Sequence, residues 1–203
     1  YLISLSGKNK HLTKKKISKI RLALKQEQKK YNITLSGGDM SCSKNLSITI
    51  SSMGYFNRQP ILRNGAKNND DIYVTNTVGD AFVGIKVLEN KIRLTKKSAN
   101  YFIKKFYLPD LPYKFSKKIH LFANSSIDIS DGIFQDLKHL LSNSNLSSEI
   151  SVNNIPISVY LNLYLKKKKK NKLDFISNGD DYQILFTANK KKRNLIKKIS
   201  QST

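Results

Sequence analysis

Two carboxylates and a hydroxyl meet in the stretch SSIDISDGIFQDL, residues 125–137: Asp128, Ser130 and Asp131. Residues 126–130 alternate like a strand, and residues 131–137 read as the start of a helix. Side chains alternate across a strand, so Asp128 and Ser130 point the same way. Hard oxygen donors of this kind suit Mg²⁺, and a helix N-terminus with free backbone N–H groups suits phosphate. Capping is the competing role, because Asp131 or Ser130 would make a good N-cap. Asp128 resists that role. A carboxylate two residues inside an apolar strand caps nothing.

Three further stretches carry groups of the same kind. In LSGGDMS, residues 35–41, Gly37 and Gly38 let a turn approach a ligand closely, and Asp39 follows; an ordinary β-turn would look the same. In LRNGAKNNDDIYVTNTVGDAFVG, residues 62–84, Arg63 could grip a phosphate bidentately or could be a plain surface arginine. Asp70 and Asp71 precede a strand there, and Gly79-Asp80 closes it. In SNGDDYQILFT, residues 177–187, the adjacent Asp180 and Asp181 suggest a metal, a cationic ligand or plain solvent exposure. No Ser-His or Cys-His set accompanies these groups. His11, His120 and His139 lie in or beside predicted helices and read as surface or packing residues. Carboxylates on strand ends with glycine turns point to Mg²⁺-nucleotide chemistry, which works by positioning and charge neutralisation and needs no protein nucleophile.

The elements that must position these groups alternate between strand and helix, as in α/β or α+β proteins. Strands are expected over residues 1–6, 31–39, 46–56, 71–80, 125–130 and 177–188, and over 149–158 before a turn. Helices are expected over 13–31, with Thr13 as N-cap, and over 81–90, 96–108, 158–170 and 190–200. Residues 116–123 form a short helical approach to the opening stretch. In the helix after residue 132, Ile133, Phe134, Leu137, Leu140 and Leu141 form one apolar stripe. Pro60, in a turn-rich segment, marks the expected domain boundary, which separates residues 1–57 from 58–203.

The chain has 203 residues, 39% of them apolar, which is globular composition. Its net charge is +23. A nucleic-acid or membrane partner is one explanation, and solvated lysine-rich faces are the other. The lysines are scattered, with clusters at 14–16, 166–170 and 190–192, and lack the aromatic interleaving of a nucleic-acid module. No specific nucleic-acid or membrane partner is therefore expected. The single cysteine, Cys42, excludes a disulfide within the chain and a cysteine-based metal site. The chain opens on Tyr1 in a strand-like run and reads as a piece of a longer protein.

The four stretches, in their order and spacing, resemble the thiamine-monophosphate kinase family, of the aminoimidazole ribonucleotide synthetase-like superfamily. The Ile-Asp-Ile-Ser-Asp-Gly block is the most specific part. The resemblance implies a two-domain α/β (α+β) fold with mixed sheets packed with helices. Residues 1–57 would be the second half of an N-terminal ATP-binding and dimerisation domain, and residues 58–203 most of a C-terminal domain. It implies a cytoplasmic homodimer that phosphorylates thiamine monophosphate from ATP with several Mg²⁺ ions. By matching positions, Gly38, Asp39, Arg63 and Ser130 would contact ATP. Asp39, Asp128 and Asp131 would bind Mg²⁺, and Asp180 would contact the thiamine phosphate.

Three positions depart from the family pattern. Asp180 and Gln183 stand where glutamate is usual, and Asn76 replaces a usual glycine. The family's Gly-Asp-Asp turn, its Ser-Thr-Asp segment and a further aspartate would lie before Tyr1, and an aromatic that stacks on substrate would lie after Thr203. Two other functions remain open: a different ATP-dependent enzyme of the superfamily, and a non-catalytic basic polyanion-binding protein. If the resemblance holds, the full-length protein is a kinase and the isolated 203-residue chain is inactive. Detectable turnover of thiamine phosphate by the isolated chain would refute the second expectation.

Overall fold

Thr13 and Asn32 bracket the longest helix of the chain. The Thr13 hydroxyl accepts the Lys16 N–H, and Asn32 ends the helix in the left-handed region at φ 53°. The computed structural model describes residues 1–55 and 58–203. The far end of the strand expected over 46–56 and the expected boundary at residue 57 reach outside the described residues. The chain divides into two units, Tyr1–Arg58 and Gln59–Thr203.

The first unit runs β1 (Leu2–Ser6), α1 (Lys14–Tyr31), β2 (Gly37–Ser41) and β3 (Ser47–Ser51). β1 is the central strand, parallel to β2 and antiparallel to β3. Ile17, Ile20 and Leu24 form a half-buried stripe on α1. The strand expected over 31–39 begins only at Gly37. Gly37, Gly38 and Asp39 are therefore part of a strand rather than a turn, because they pair residue by residue with Leu2, Ile3 and Ser4.

The second unit continues with β4 (Asp71–Val74), α2 (Asp80–Leu88), α3 (Lys96–Tyr107), α4 (Tyr113–Ser116) and β5 (Ala123–Asp128). Then come α5 (Ile133–Ser142), α6 (Val159–Lys168), α7 (Leu173–Ile176), β6 (Ile184–Ala188) and α8 (Arg193–Gln201). Its sheet has the order β4-β6-β5 with antiparallel pairs. The central β6 is buried on both faces, so its sequence, ILFTA, is nearly continuous in apolar residues. Successive side chains alternate. Leu185 joins the cluster that α5 supplies with Ile133, Leu137, Leu140 and Leu141. Phe186 joins Phe115, Phe122, Ile196 and Ile199. A third cluster, with Val83, Phe102, Leu161 and Phe175, joins α2, α3, α6 and α7.

The strand expected over 149–158 is a short 3-10 turn instead, Val152–Asn154. Its carbonyls do not join a ladder. Those of Val152, Asn153 and Ile155 accept hydrogen bonds from the Lys172 ammonium. The segment keeps the apolar spacing of a strand because Ile150, Val152 and Ile155 pack on the α5 cluster.

How α5 begins decides what the preceding residues can do. Its N-cap is Gly132, at φ 122°, and no side chain at that position caps it. A side chain from the helix's first turn instead holds the residues that lead into it. One oxygen of Asp136 accepts the N–H groups of Ser130, Asp131 and Gly132 at 3.0, 3.0 and 3.1 Å. Asp136 is 2% exposed. Hydrogen bonds to a charged acceptor are among the strong ones, and leaving buried donors unsatisfied costs about 1–3 kcal/mol each. Asp136→Ala should therefore lower the unfolding free energy by roughly 2–4 kcal/mol, some donors regaining water. Urea titration should show it as a lower midpoint at unchanged slope.

Candidate active site

β5 delivers the opening cluster as its alternation requires. Ser125, Ile127 and Ile129 face inward, while Asp128 is exposed and Ser130 half-exposed. Asp131 is also exposed, and its Oδ2 accepts only a long hydrogen bond from Gln135 Nε2 at 3.3 Å. Neither Asp131 nor Ser130 caps α5, contrary to the ordinary capping role the sequence allows. The N–H groups of Ser130, Asp131 and Gly132 are not free for phosphate either, since one oxygen of Asp136 accepts all three. What remains at the junction is acceptor chemistry: the carboxylates of Asp128 and Asp131 and the Ser130 hydroxyl.

The turn Gly179-Asp180-Asp181 lies directly against this junction. The Asp180 N–H donates to the Ser130 carbonyl at 3.0 Å and the Tyr182 N–H to the Ile129 carbonyl at 2.9 Å. In return the Ile129 N–H donates to the Gln183 carbonyl at 2.8 Å. The approach is so close that a Cβ on Gly179 would sit 1.8 Å from the Ser130 carbonyl oxygen. One on Gly132 would sit 2.4 Å from that of Ser177. Only glycine fits either position. Asp180 and Tyr182 both adopt positive φ, 69° and 49°. Such backbone is uncommon outside glycine and persists only where surrounding contacts hold it.

The paired aspartates of this turn do different work. Asp180 is half-exposed beside Ser130. Asp181 is buried and caps α2 from a distance of a hundred residues: Oδ2 accepts the Gly79 N–H at 2.7 Å and Oδ1 the Ala81 N–H at 3.3 Å. α2 needs this because Gly79 has no side chain to cap with. Beside it, buried Asp80 accepts hydroxyl hydrogen bonds from Ser158 at 2.6 Å and Tyr101 at 3.0 Å. Burial raises the pKa of Asp80, and pushes that of Asp181 up to about 7 despite its two N–H donors. Asp70 and Asp71 are also structural. Asp70 accepts the Lys67 N–H and the Asn124 amide, and Asp71 takes the Arg193 guanidinium bidentately at 2.5 and 2.7 Å.

Arg63 reaches the same region by a third route. The Ser126 N–H donates to the Leu62 carbonyl at 3.2 Å, which holds residue 62 alongside β5. Arg63 and Asp128 then line one open hollow of about 390 Å³, floored by Ile61, Ile119 and Ile184. Within this unit, Arg63, Asp128, Ser130, Asp131 and Asp180 thus belong to three neighbouring backbone segments. Gly38 and Asp39 lie in the first unit, exposed on β2.

Among the described residues, no group of three or more His, Cys, Asp or Glu side chains gathers as a metal cage. Mg²⁺ does not need one. It is usually held by one or two carboxylates together with substrate phosphates and water. Exposed Asp128 and Asp131 and the half-exposed Ser130 hydroxyl are the oxygen donors here that could hold such an ion.

No family model matches the chain. The curated protein comparison is more informative. The thiamine-monophosphate kinase of Buchnera aphidicola from Schizaphis graminum is 41% identical over 167 residues, which is 80% of this chain and 50% of that protein. The Aquifex aeolicus enzyme is 30% identical over 179 residues, 88% of this chain and 58% of that one. The chain is a relative of the thiamine-monophosphate kinases. It spans about half the length of the curated relatives it matches. A solved structure of AaThiL complexed with AMPPCP and TMP superposes at a TM-score of 0.82 with 28% identity, covering 96% of this chain and 62% of that one. E. coli HypE matches at a TM-score of 0.77 with 12% identity, a likeness of fold alone. The architecture shared by the kinases and HypE is the aminoimidazole ribonucleotide synthetase-like α+β fold.

Asp136, Asp181 and Gln183 carry roles in this relative of the kinases that the residue types alone do not announce. A signal for each is nonetheless present. Asp136 falls on the apolar stripe of α5, between Ile133 and Leu140. Asp181 and Gln183 fall on the inward register that continues through Leu185 and Thr187. A polar group on a buried face requires a partner.

The raised pKa of Asp181 makes stability depend on pH. The folded state holds the proton up to about pH 7, whereas the unfolded chain releases it near the ordinary aspartate value of 3.8. The stabilising contribution is complete below the unfolded pKa and is lost as pH rises through the folded one. Between about pH 5 and about pH 8 that loss is roughly 2–3 kcal/mol. Urea unfolding across this range should show the decline in wild type and a flatter profile in Asp181→Asn.

Proposed function

We propose that the protein containing this chain transfers the γ-phosphoryl group of ATP to thiamine monophosphate, giving thiamine diphosphate. The observation that carries this reading is the division of labour at the β5–α5 junction. Asp136 holds the backbone of Ser130, Asp131 and Gly132, and Asp128 and Asp131 stay exposed and free of structural duty beside Arg63 and Asp180. The similarity to AaThiL complexed with AMPPCP and TMP supports the choice of nucleotide and acceptor.

On this reading Asp128 and Asp131 would hold Mg²⁺, and Asp39 in the first unit is a metal ligand as well. Mg²⁺ there would supply positive charge to offset what develops on the phosphates during transfer. Arg63 grips ATP phosphates through its planar guanidinium, Ser130 contacts them through its hydroxyl, and Gly38, whose missing Cβ makes room for the Ile3 carbonyl, contacts ATP through its backbone. Asp180 faces the thiamine phosphate. No side chain acts as a nucleophile, because the acceptor phosphate attacks and the protein aligns the two anions. Residues 1–57 serve as part of an ATP-binding and dimerising domain, and the protein works as a cytoplasmic homodimer where its ATP is.

One observation favours a second reading with the same chemistry and another small-molecule acceptor. Asp180 is one methylene shorter than the glutamate the resemblance places there. The polyanion-binding reading loses its main support, since it requires the junction carboxylates to be caps, and neither Asp128 nor Asp131 caps α5.

Asp128→Asn in the full-length protein tests the kinase reading of this junction. Because Asp128 is exposed, its thermal midpoint should stay within a degree or two while turnover with thiamine monophosphate falls about 100-fold or more. Unchanged turnover would defeat the kinase reading of this junction.

A further inference from the structure

Gln183 is 4% exposed and uses its whole amide. Its Oε1 accepts the Thr75 hydroxyl and the Asn76 Nδ2, each at 2.9 Å. Its Nε2 donates to the Asp110 carbonyl at 3.1 Å and to the Asp181 carbonyl at 3.2 Å. The orientation is not interchangeable. The two backbone carbonyls can only accept, so the NH₂ must face them. Thr75 Oγ1 already accepts the Ile184 N–H at 2.9 Å, which leaves its hydrogen for the amide oxygen. One side chain therefore joins three segments far apart in sequence: residues 75–76, residue 110 and the Gly-Asp-Asp turn.

That turn is the part of the site with most need of a brace. Asp180 and Tyr182 sit at positive φ on either side of Asp181. On one side the turn is fixed by the N–H groups of Asp180 and Tyr182 on the Ser130 and Ile129 carbonyls. On the other, Gln183 fixes the carbonyl between them. A carboxylate at position 183 would place an oxygen against two carbonyl oxygens. A neutral amide is the side chain that fits without a bound proton.

We propose that Gln183 is a positioning residue for the acceptor end of the site, its amide holding residues 179–182 in the geometry that presents Asp180. Asn76 is its auxiliary. Asn76 lies at φ 49°, which asparagine tolerates, and its side-chain amide also donates to the Asp110 carbonyl at 3.3 Å. The proposal rests on Asp180 meeting the acceptor, as argued above. It separates acceptor handling from ATP handling, which belongs to Arg63, Ser130 and the carboxylates.

The test compares wild type, Gln183→Glu and Asn76→Gly in the full-length protein. KM is measured for thiamine monophosphate and for ATP separately, together with amide hydrogen exchange at Asp180 and Tyr182. Gln183→Glu should raise the acceptor KM about tenfold or more and leave the ATP KM within about twofold. Exchange at Asp180 and Tyr182 should quicken more than exchange in α5. Asn76→Gly removes one donor while glycine suits the positive φ. It should shift the acceptor KM the same way, by about threefold, at an unchanged thermal midpoint, and it carries the test if Gln183→Glu does not fold. Acceptor and ATP KM rising together would overturn the proposal. So would uniform acceleration of exchange through the unit, or no change in either readout. If wild type does not phosphorylate thiamine monophosphate, the proposed function fails on its own, and the exchange measurements decide the role of Gln183.

Discussion

The contact on which the second unit depends is one carboxylate oxygen shared by three backbone N–H groups. Asp136 sits a turn inside α5 and reaches back to Ser130, Asp131 and Gly132. Tying the three donors of the corner to a buried residue of the helix has two consequences. The strand-to-helix corner becomes tight enough for the 177–180 turn to pack against it at glycine-only distances. The outward side chains at that corner are also released from structural work. Had Asp131 been the cap, its charge would be committed to the helix rather than available to a ligand.

The same economy recurs around the site. Of the aspartates near it, the buried ones bind backbone or hydroxyl groups: Asp136 at α5, Asp181 at α2, and Asp80 with Ser158 and Tyr101. The exposed ones, Asp128 and Asp131, carry almost no internal hydrogen bonding. Burial also divides their electrostatics. Desolvation raises the pKa of Asp80 and Asp181, so these carry less of the negative charge that an anionic substrate would meet. Asp128 and Asp131 stay where water and a cation can reach them.

Much of this was legible in the sequence, for physical reasons that differ by element. α5 could be read because its apolar stripe follows a helix period, and β5 because Ile127 and Ile129 alternate with Asp128 and Ser130. Residues 149–158 misled because the same apolar spacing packs a 3-10 turn whose carbonyls are taken by Lys172. The Gly-Gly-Asp stretch read as a turn, since pairing with β1 is a long-range contact that local preference does not report. Capping was misassigned for a similar reason. Asp131 has the composition of an N-cap, while Asp136 has only the oddity of a charge on an apolar stripe. Asn76 and Gln183, two separate departures from the family pattern 107 residues apart, prove to be hydrogen-bonded to each other. They are more simply understood as one change than as two.

The central claim is that the junction carboxylates, freed by Asp136, face a metal-bound nucleotide. Paramagnetic broadening tests it most directly. Mn²⁺ is titrated into the isotopically labelled full-length protein with a non-hydrolysable ATP analogue, and amide signals across β5 and α5 are followed. The account predicts that signals of residues 128–131 broaden first and only when nucleotide is present, while those at the C-terminal end of α5 persist. Signals at 128–131 that stay sharp at saturating Mn²⁺ and nucleotide would contradict it.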